Sequence, residues 1–427
     1  MKDQQNNKFD VIIIGAGPAG LGSAINLSKK GISVLLIEKE KIGATQKTWL
    51  TFDYILQKYK LKECIKNTFS EVTLSCYLGN TFSLKNKSFI YPIDEEKALK
   101  LLAQQAIKNG AVIREKEVFI NYSFIKNDYL EIKTTKNTYY SKFAVDAMGR
   151  DSQILKSKGL FNNTIDMGCL TYFLEKCNYK NEDKMLLYDS FFPGSDYFWL
   201  VPHGNKRIMA GIFCFSQIND ENIGEKHNKL KSYLAEKNIT GKIYAVKKGN
   251  IPLGDQNHVN VNNFLCIGDS CNTPLPSSGF SFNRCLDESE ILADFIMEYF
   301  NKKASIKDYR KRILGSKIPA IGIHLMISDM LSKFTNPMLN KAIGEMNNLS
   351  EDFIMSFLTG KDMSVTFSAT VLQSILKIFS LSEIRSLSLQ HNYMNTLTTI
   401  YHLLPGLPAS GIRKQLTDFI KKIIKNI

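Results

Sequence analysis

The first third of the chain alternates between continuously apolar runs and helix-like patterns. Asp10-Val11-Ile12-Ile13-Ile14 is unbroken after its first residue, as a strand buried on both faces requires. A small-residue turn and an apolar-patterned helix to Lys30 follow it, and Val34 to Ile37 reads as a second buried strand. Glu96 to Asn109 predicts an amphipathic helix, with Leu99, Leu102, Ala103 and Ala106 on one face. Strand signals follow at Ala111 to Ile113, Val118 to Tyr122, Tyr129 to Thr134 and Thr138 to Tyr140. The run Phe143-Ala144-Val145-Asp146 then ends in the turn Ala147-Met148-Gly149-Arg150-Asp151-Ser152. From about Gly168 to Ile251 the period becomes two, at Leu170 to Leu174, Met185 to Asp189, Tyr197 to Val201 and Ile208 to Phe215, with a helix at Gly224 to Lys237. Asn263 to Gly268 returns to a buried-type strand, Leu286, Ile291, Leu292, Phe295 and Ile296 mark a helix, and from about Ser305 the pattern is helical. Together these predict an α/β protein. A discontinuous Rossmann-type domain covers 1–165 and 251–303, a mixed-sheet domain is inserted at 166–250, and a helical domain covers 304–427.

The turn after the first strand, Gly15-Ala16-Gly17-Pro18-Ala19-Gly20, has the spacing of a dinucleotide fingerprint, and Glu38 at the end of the second strand completes it. Gly15 permits the tight turn and Gly17 the approach of a pyrophosphate. Gly20 lets the helix lie close to the strand, so that helix N-terminal amides face the phosphates. Glu38 is placed to accept hydrogen bonds from a ribose hydroxyl. Further along, the strand ending in Gly268-Asp269 offers a short carboxylate to a chain of hydroxyls, and Pro274-Leu275-Pro276-Ser277-Ser278-Gly279-Phe280-Ser281 opens a helix toward whatever lies beyond.

Composition narrows the partners. At 427 residues, 44% hydrophobic and 22% charged, the chain is an ordinary globular protein with room for more than one domain. A net charge of +14 raises the question of nucleic acid, but no helix-turn-helix, zinc-finger or aromatic RNA-binding signature accompanies it. The basic amphipathic stretch at the C-terminus suits anionic lipid better. There Ile412, Leu416, Phe419, Ile420, Ile423, Ile424 and Ile427 share a helical face, with Arg413, Lys414, Lys421, Lys422 and Lys425 around it. The eight cysteines form no CxxC pair and have no histidine partners at metal-ligand spacing, so no metal site is expected. The polar start and the lack of an 18-residue apolar run lead to the expectation of a cytoplasmic protein at the inner face of the membrane. Nothing in the sequence bears on oligomeric state.

The three separated segments together resemble the FAD-binding superfamily of aromatic hydroxylases, geranylgeranyl reductases and lycopene cyclases. The resemblance implies that Gly15, Gly17 and Gly20, with Ala19 between, hold the FAD pyrophosphate and that Glu38 holds the adenosine ribose. It implies that Val118 lies by the adenine, that Asp269, after Gly268, holds the ribityl chain, and that Ser278, Gly279 and Phe280 approach the flavin. A helix N-terminus aimed at the ring would stabilise negative charge on reduced flavin. Pro276 to Phe280, with Arg284 and Leu286, is similar to the Pro-Ser-Thr-Gly-Tyr segment of lycopene cyclases, as are Trp49 to Ile65 and Phe353 to Asp362 to other cyclase stretches. Pro193 to Pro202 instead resembles the Tyr-x-Trp-x-x-Pro element of geranylgeranyl reductases.

The departures are informative. Counted from the proline matched to Pro202, the places of the cyclases' adjacent acids hold Ala210 and Gly211, and the acids expected after the first tryptophan are Thr51 and Phe52. The reductases' cysteine segment is replaced by Gly43 to Thr48, and a hydroxylase-type arginine by Glu95. Protonating an alkene demands a carboxylic acid of raised pKa; Asp53 and Asp196 are the candidates, and Tyr197 and Trp199 are expected to wall the substrate. The main expectation is an FAD-dependent oxidoreductase acting on a long isoprenoid or other apolar lipid, with NAD(P)H as a transient donor. A redox-neutral cyclase requiring reduced FAD, a flavin monooxygenase and a non-catalytic FAD-retaining lipid protein are the alternatives.

Overall fold

The computed structural model describes residues 7–44, 49–85, 89–125, 129–161, 165–191, 196–254 and 258–361. In chain order the elements are β1 (Lys8–Ile14), α1 (Pro18–Lys29), β2 (Val34–Ile37), β3 (Leu50–Phe52), α2 (Asp53–Lys58), β4 (Glu71–Cys76), β5 (Thr81–Lys85), β6 (Ile90–Pro92), α3 (Glu95–Lys108) and β7 (Val112–Arg114). There follow β8 (Phe119–Ile125), β9 (Tyr129–Thr134), β10 (Thr138–Asp146), β11 (Ile165–Glu175), β12 (Lys184–Ser190), β13 (Asp196–Gly204), β14 (Arg207–Cys214), α4 (Ile223–Glu236) and β15 (Lys242–Leu253). The chain then runs through β16 (Asn260–Val261), β17 (Phe264–Cys266), α5 (Phe282–Phe300), α6 (Ile306–Lys333), α7 (Asn336–Glu345) and α8 (Glu351–Thr359).

Among the described residues the first large sheet has the order β16-β17-β10-β1-β2-β7, with β9 and β8 continuing from β10 as an antiparallel excursion. Its centre is parallel: Ile12 lies beside Leu35 of β2 and Ala144 of β10. Val11 to Ile14 and Val34 to Ile37 are buried throughout, because α1, α3 and α5 belong to the same core. The two strand signals at 138–140 and 143–146 are one strand, β10. Its first half pairs with β9 and its second half with β17, and Ser141 between them is completely buried. The helix predicted at 96–109 forms one residue earlier, because Asp94 caps it by accepting the Lys97 amide at 3.0 Å.

The second sheet, β15-β11-β14-β13-β12-β4-β5, is antiparallel except where β12 runs parallel to β4. Strands β4 and β5 come from 71–85, so this part of the expected 1–165 domain belongs to the second sheet, and β15 carries that sheet on to Leu253. Alternation along β13 sends Tyr197 and Val201 into one core and Phe198 and Leu200 into the other. The second of these cores is closed by Leu230, Tyr233 and Leu234 of α4, and the first by Leu339 and Ile343 of α7 with Ile354 and Leu358 of α8. Asn80 locks α7 down, its amide nitrogens reaching Asn340 Oδ1 at 2.9 Å and Asn340 O at 2.8 Å. Of the span expected to be helical, 304–361 is described, and there α7 and α8 are seated on the second sheet. The basic helix read at 412–427 lies outside the described residues, as do Pro193 to Ser195. No helix among the described residues is long and apolar enough to cross a membrane.

Candidate functional site

Four strand ends meet at one edge of the parallel sheet. After β1 the chain turns at Gly15, whose φ is +105°; a Cβ there would stand 2.4 Å from the Ala147 carbonyl oxygen. A Cβ on Gly20 would stand 1.9 Å from Gly15 O, so the first turn of α1 presses on the strand. Gly17 is different: it is the N-cap of α1, and a Cβ there would meet nothing within 4 Å. No side-chain hydrogen bond caps α1, as at a helix start that receives an anionic group. Glu38 is pinned beside this turn, its carboxylate accepting the Ala16 amide at 2.7 Å and the Glu40 amide at 2.9 Å.

The other segments close round the same turn. Gly268, with φ +72°, comes so close to α1 that a Cβ would lie 2.9 Å from that of Ala19, and half-buried Asp269 follows it. The Asp146 carbonyl takes the Ile267 amide at 3.0 Å and the Ser270 hydroxyl at 2.8 Å. The Asp146 carboxyl, fully buried, accepts the Met148 amide at 3.1 Å and the Ser152 hydroxyl, and burial pushes its pKa up to about 6. Val118 sits one residue past Glu117, whose amide bonds the Glu38 carbonyl at 2.9 Å. It is 43% exposed on this edge, with its own amide and carbonyl both engaged by Thr135.

The turn 275–280 lies between the sheets. The Gly279 amide donates to Leu275 O at 2.7 Å and the Leu275 amide to Phe280 O at 3.0 Å. A Cβ on Gly279 would press on Ile251 and Met167 of the second sheet, both at 2.9 Å, and Phe280 meets the Phe52 ring edge-on at 5.6 Å. Ser278 closes the turn through its amide to Leu275 O at 3.1 Å. Helix α5 then carries the turn back onto α1, where Asn26 Nδ2 donates to Ser289 Oγ at 2.8 Å. Trp49 packs on Phe282 at 5.2 Å.

The residues expected to do chemistry are not gathered as a group. Tyr197 is 1% exposed, stacked on Tyr188 at 4.3 Å, and its hydroxyl donates to Leu331 O of α6 at 2.6 Å; it supports the wall and does not line it. Trp199 is half-buried and lies across Gly211, its cross-strand partner, so that a Cβ at 211 would be 2.0 Å from the indole. Ala210 faces the α4 side. Asp53 opens α2 with its carboxylate bonded to Gln57 of the same helix. Asp196 is spent in a buried ion pair, with Lys226 at 3.0 Å and Lys229 beside it.

Residues outside the expected set fill the space around the turn. Tyr54 donates to Asp287 Oδ2 at 2.7 Å and accepts from Asn283 Nδ2 at 3.2 Å, with the Lys361 ammonium 3.4 Å above its ring. Burial raises both the Tyr54 phenol and the Asp287 carboxyl above their ordinary ranges. Glu95 is held by Lys66 at 3.0 Å. Thr51 Oγ1, Asn283 Oδ1 and Arg284 Nε are buried without hydrogen-bond partners among the described residues, in segments joined through the Phe52 contact with Phe280. The open face of Gly17, the uncapped helix, the pinned acid and these orphaned polar atoms fit a dinucleotide that runs from α1 toward the 275–280 turn.

A family model described as lycopene cyclase protein matches residues 10–361. The digeranylgeranylglycerophospholipid reductase of Methanosarcina acetivorans is 24% identical over 314 residues, 68% of this chain and 75% of that protein. A geranylgeranyl bacteriochlorophyll reductase-like protein from Thermoplasma acidophilum superposes with a TM-score of 0.73 at 20% identity, covering 89% of this chain and 99% of that one. A flavoprotein/dehydrogenase from Cytophaga hutchinsonii gives 0.68 at 14% identity, covering 83% and 93%. With the matched span taking in both sheets and the helices over them, the chain belongs to the lycopene cyclase protein family.

Proposed function

We propose that this protein is an FAD-dependent oxidoreductase that saturates alkenes of a long isoprenoid lipid. The observation that carries the reading is the pair Trp199 and Gly211: the indole fills the place where the family's cyclases are expected to hold an acid. An acidic side chain does not fit there without displacing the ring. The reductase names of the archaeal relatives support the same direction. The family's own description keeps a redox-neutral cyclase as the second reading.

When bound, FAD in its reduced form supplies hydride. The rest is the work of this chain. The first amides of α1 would offset pyrophosphate charge, and Glu38 would accept from the ribose. Asp269 would take the ribityl hydroxyls, and Ser278, Gly279 and Phe280 would approach the ring. Trp199, packed on Phe213 at 5.9 Å, and the partly buried Phe215 present an apolar face that orients an alkene chain and excludes water. Hydride added to one alkene carbon would be balanced by a proton on the other, drawn from water or a protein acid. With a single dinucleotide fingerprint in the chain, NAD(P)H is assigned the part of a transient donor.

Anaerobic single turnover tests this reading. Reduced holoenzyme mixed with a geranylgeranyl lipid should regain the absorbance of oxidised flavin in step with loss of alkene. Flavin that stays reduced while the product changes its chromatographic retention would overturn reduction in favour of cyclisation. The basic amphipathic pattern at 412–427 is assigned to anionic lipid, because long polyprenyl substrates dissolve in bilayers. Removing Gly411 to Ile427 should lower partitioning onto anionic vesicles, and unchanged partitioning would end that assignment.

A further inference from the structure

The 276–280 turn is held from behind by a histidine that the functional reading does not use. His324 and Ser328 lie one helical turn apart on α6, and both are buried, at 0% and 1% exposure. Ser328 Oγ donates to Pro276 O at 3.1 Å, and His324 Nδ1 stands 2.5 Å from Ser277 Oγ. The other ring nitrogen, Nε2, is 3.0 Å from Phe357 O, and the imidazole stacks on the Phe357 ring at 4.3 Å and 11°.

A carbonyl oxygen only accepts, so the proton is on Nε2. In the neutral ring Nδ1 is then an acceptor, and the Ser277 hydroxyl donates to it. Burial, aided by the Arg284 charge, keeps the ring neutral by lowering its pKa to about 3. The tautomer fixes the Ser277 rotamer, and Ser277 directly precedes the residues assigned to the flavin. Helix α8 closes the other side: Asn283 Nδ2 donates to Thr359 O at 3.0 Å and Arg284 Nη1 to Gly360 O at 3.2 Å. The turn and the first turn of α5 are thus clasped between α6 and α8.

We propose that His324 is a positioning residue which, through Ser277, sets the shape of the 276–280 turn for FAD. This rests on the FAD reading above. It assigns no proton transfer to the histidine; its contribution is a fixed donor and a fixed acceptor.

The test uses the full chain, with FAD affinity followed by flavin fluorescence, the visible spectrum of the bound flavin and thermal melting of the apoprotein. Ser277→Ala and His324→Phe, the latter keeping the stack on Phe357, should each weaken FAD binding about fivefold, the loss of roughly one hydrogen bond. Both should shift the bound flavin's visible band. The double variant should bind no more weakly than the worse single one, since both act through one bond. His324→Asn, with an acceptor near the Nδ1 position, should recover much of the affinity. Unchanged affinity and spectrum in Ser277→Ala, or additive losses in the double variant, would overturn the proposal. If His324→Phe does not fold, Ser277→Ala alone decides by its affinity and spectrum. A wild-type chain that binds no FAD would overturn the functional reading itself and this assignment with it. Wild-type binding with unaffected variants would remove only the role of His324.

Discussion

At the edge of the parallel sheet the chain presents mainly backbone: the amides opening α1, the turn at Gly15, and carbonyls such as Asp146 O that knit the strand ends together. On the antiparallel sheet it presents side chains, and which of them are left accessible is decided by cross-strand neighbours such as Trp199 over Gly211. A backbone-built site suits a group common to many ligands, as a pyrophosphate would be, and tolerates little change in its own residues. A site built by packing is free to change with each exchange of large and small partners across the strands, and discriminates only weakly between similar apolar chains.

Substitutions in the two regions sharpen this contrast, beginning with the largest effect. Gly17→Leu adds a side chain where no atom lies within 4 Å and φ is −74°, so the apoprotein should melt within about 1 kcal/mol of wild type. Its FAD retention through gel filtration should nevertheless be lost, because the leucine fills the phosphate's place. Gly20→Ala, by contrast, sets a Cβ against Gly15 O and should cost at least about 3 kcal/mol of stability, read by denaturant unfolding. A Gly17→Leu protein that stays yellow would refute the placement of the cradle.

The antiparallel sheet should break differently. Gly211→Glu forces the Trp199 indole aside and should destabilise by about 2–3 kcal/mol, and Trp199→Ala in the same chain should restore most of the loss. Destabilisation by Gly211→Glu that Trp199→Ala does not relieve would mean that the ring is not what excludes an acid there.

A smaller effect is expected from pH. The Asp146 carboxyl has a folded pKa of about 6, above its unfolded value, so the folded state holds a proton that the unfolded state releases between about pH 4 and 6. Its contribution is fully present below pH 4 and is lost as pH rises through 6, on the order of 3 kcal/mol. Asp146→Asn should flatten the stability profile across that window; an unchanged slope would assign it to other groups.

What was legible in the sequence follows the same division. Gly15, Gly17, Gly20 and Glu38 are constraints on backbone within one βαβ unit, and the structure keeps their spacing because strand, turn and helix are contiguous. Gly268 and Asp269 likewise follow their strand directly, and the structure brings Gly268 against Ala19 of α1. Strands β4 and β5 were not assigned to the second sheet, since β4 finds its parallel partner β12 more than a hundred residues along the chain. Tyr197 and Trp199 share a strand face, so alternation alone does not distinguish a core ring from a wall ring; Tyr188 and Leu331, distant in sequence, make that difference. His324 gave no signal in its own helix, because Ser277 and Phe357, which define its role, lie far from it along the chain. Tyr54 lay within the stretch that resembles the cyclases, yet its significance rests on Asp287 and Asn283 of α5 and on Lys361 beyond α8.

The most direct test of the account is the mass of the product formed when reduced holoenzyme is incubated separately with geranylgeranyl lipids and with lycopene. Reduction predicts a gain of about two mass units for each alkene consumed. A product of unchanged mass and altered retention would contradict it, and would direct the search to an acid other than those that Ala210 and Gly211 replace.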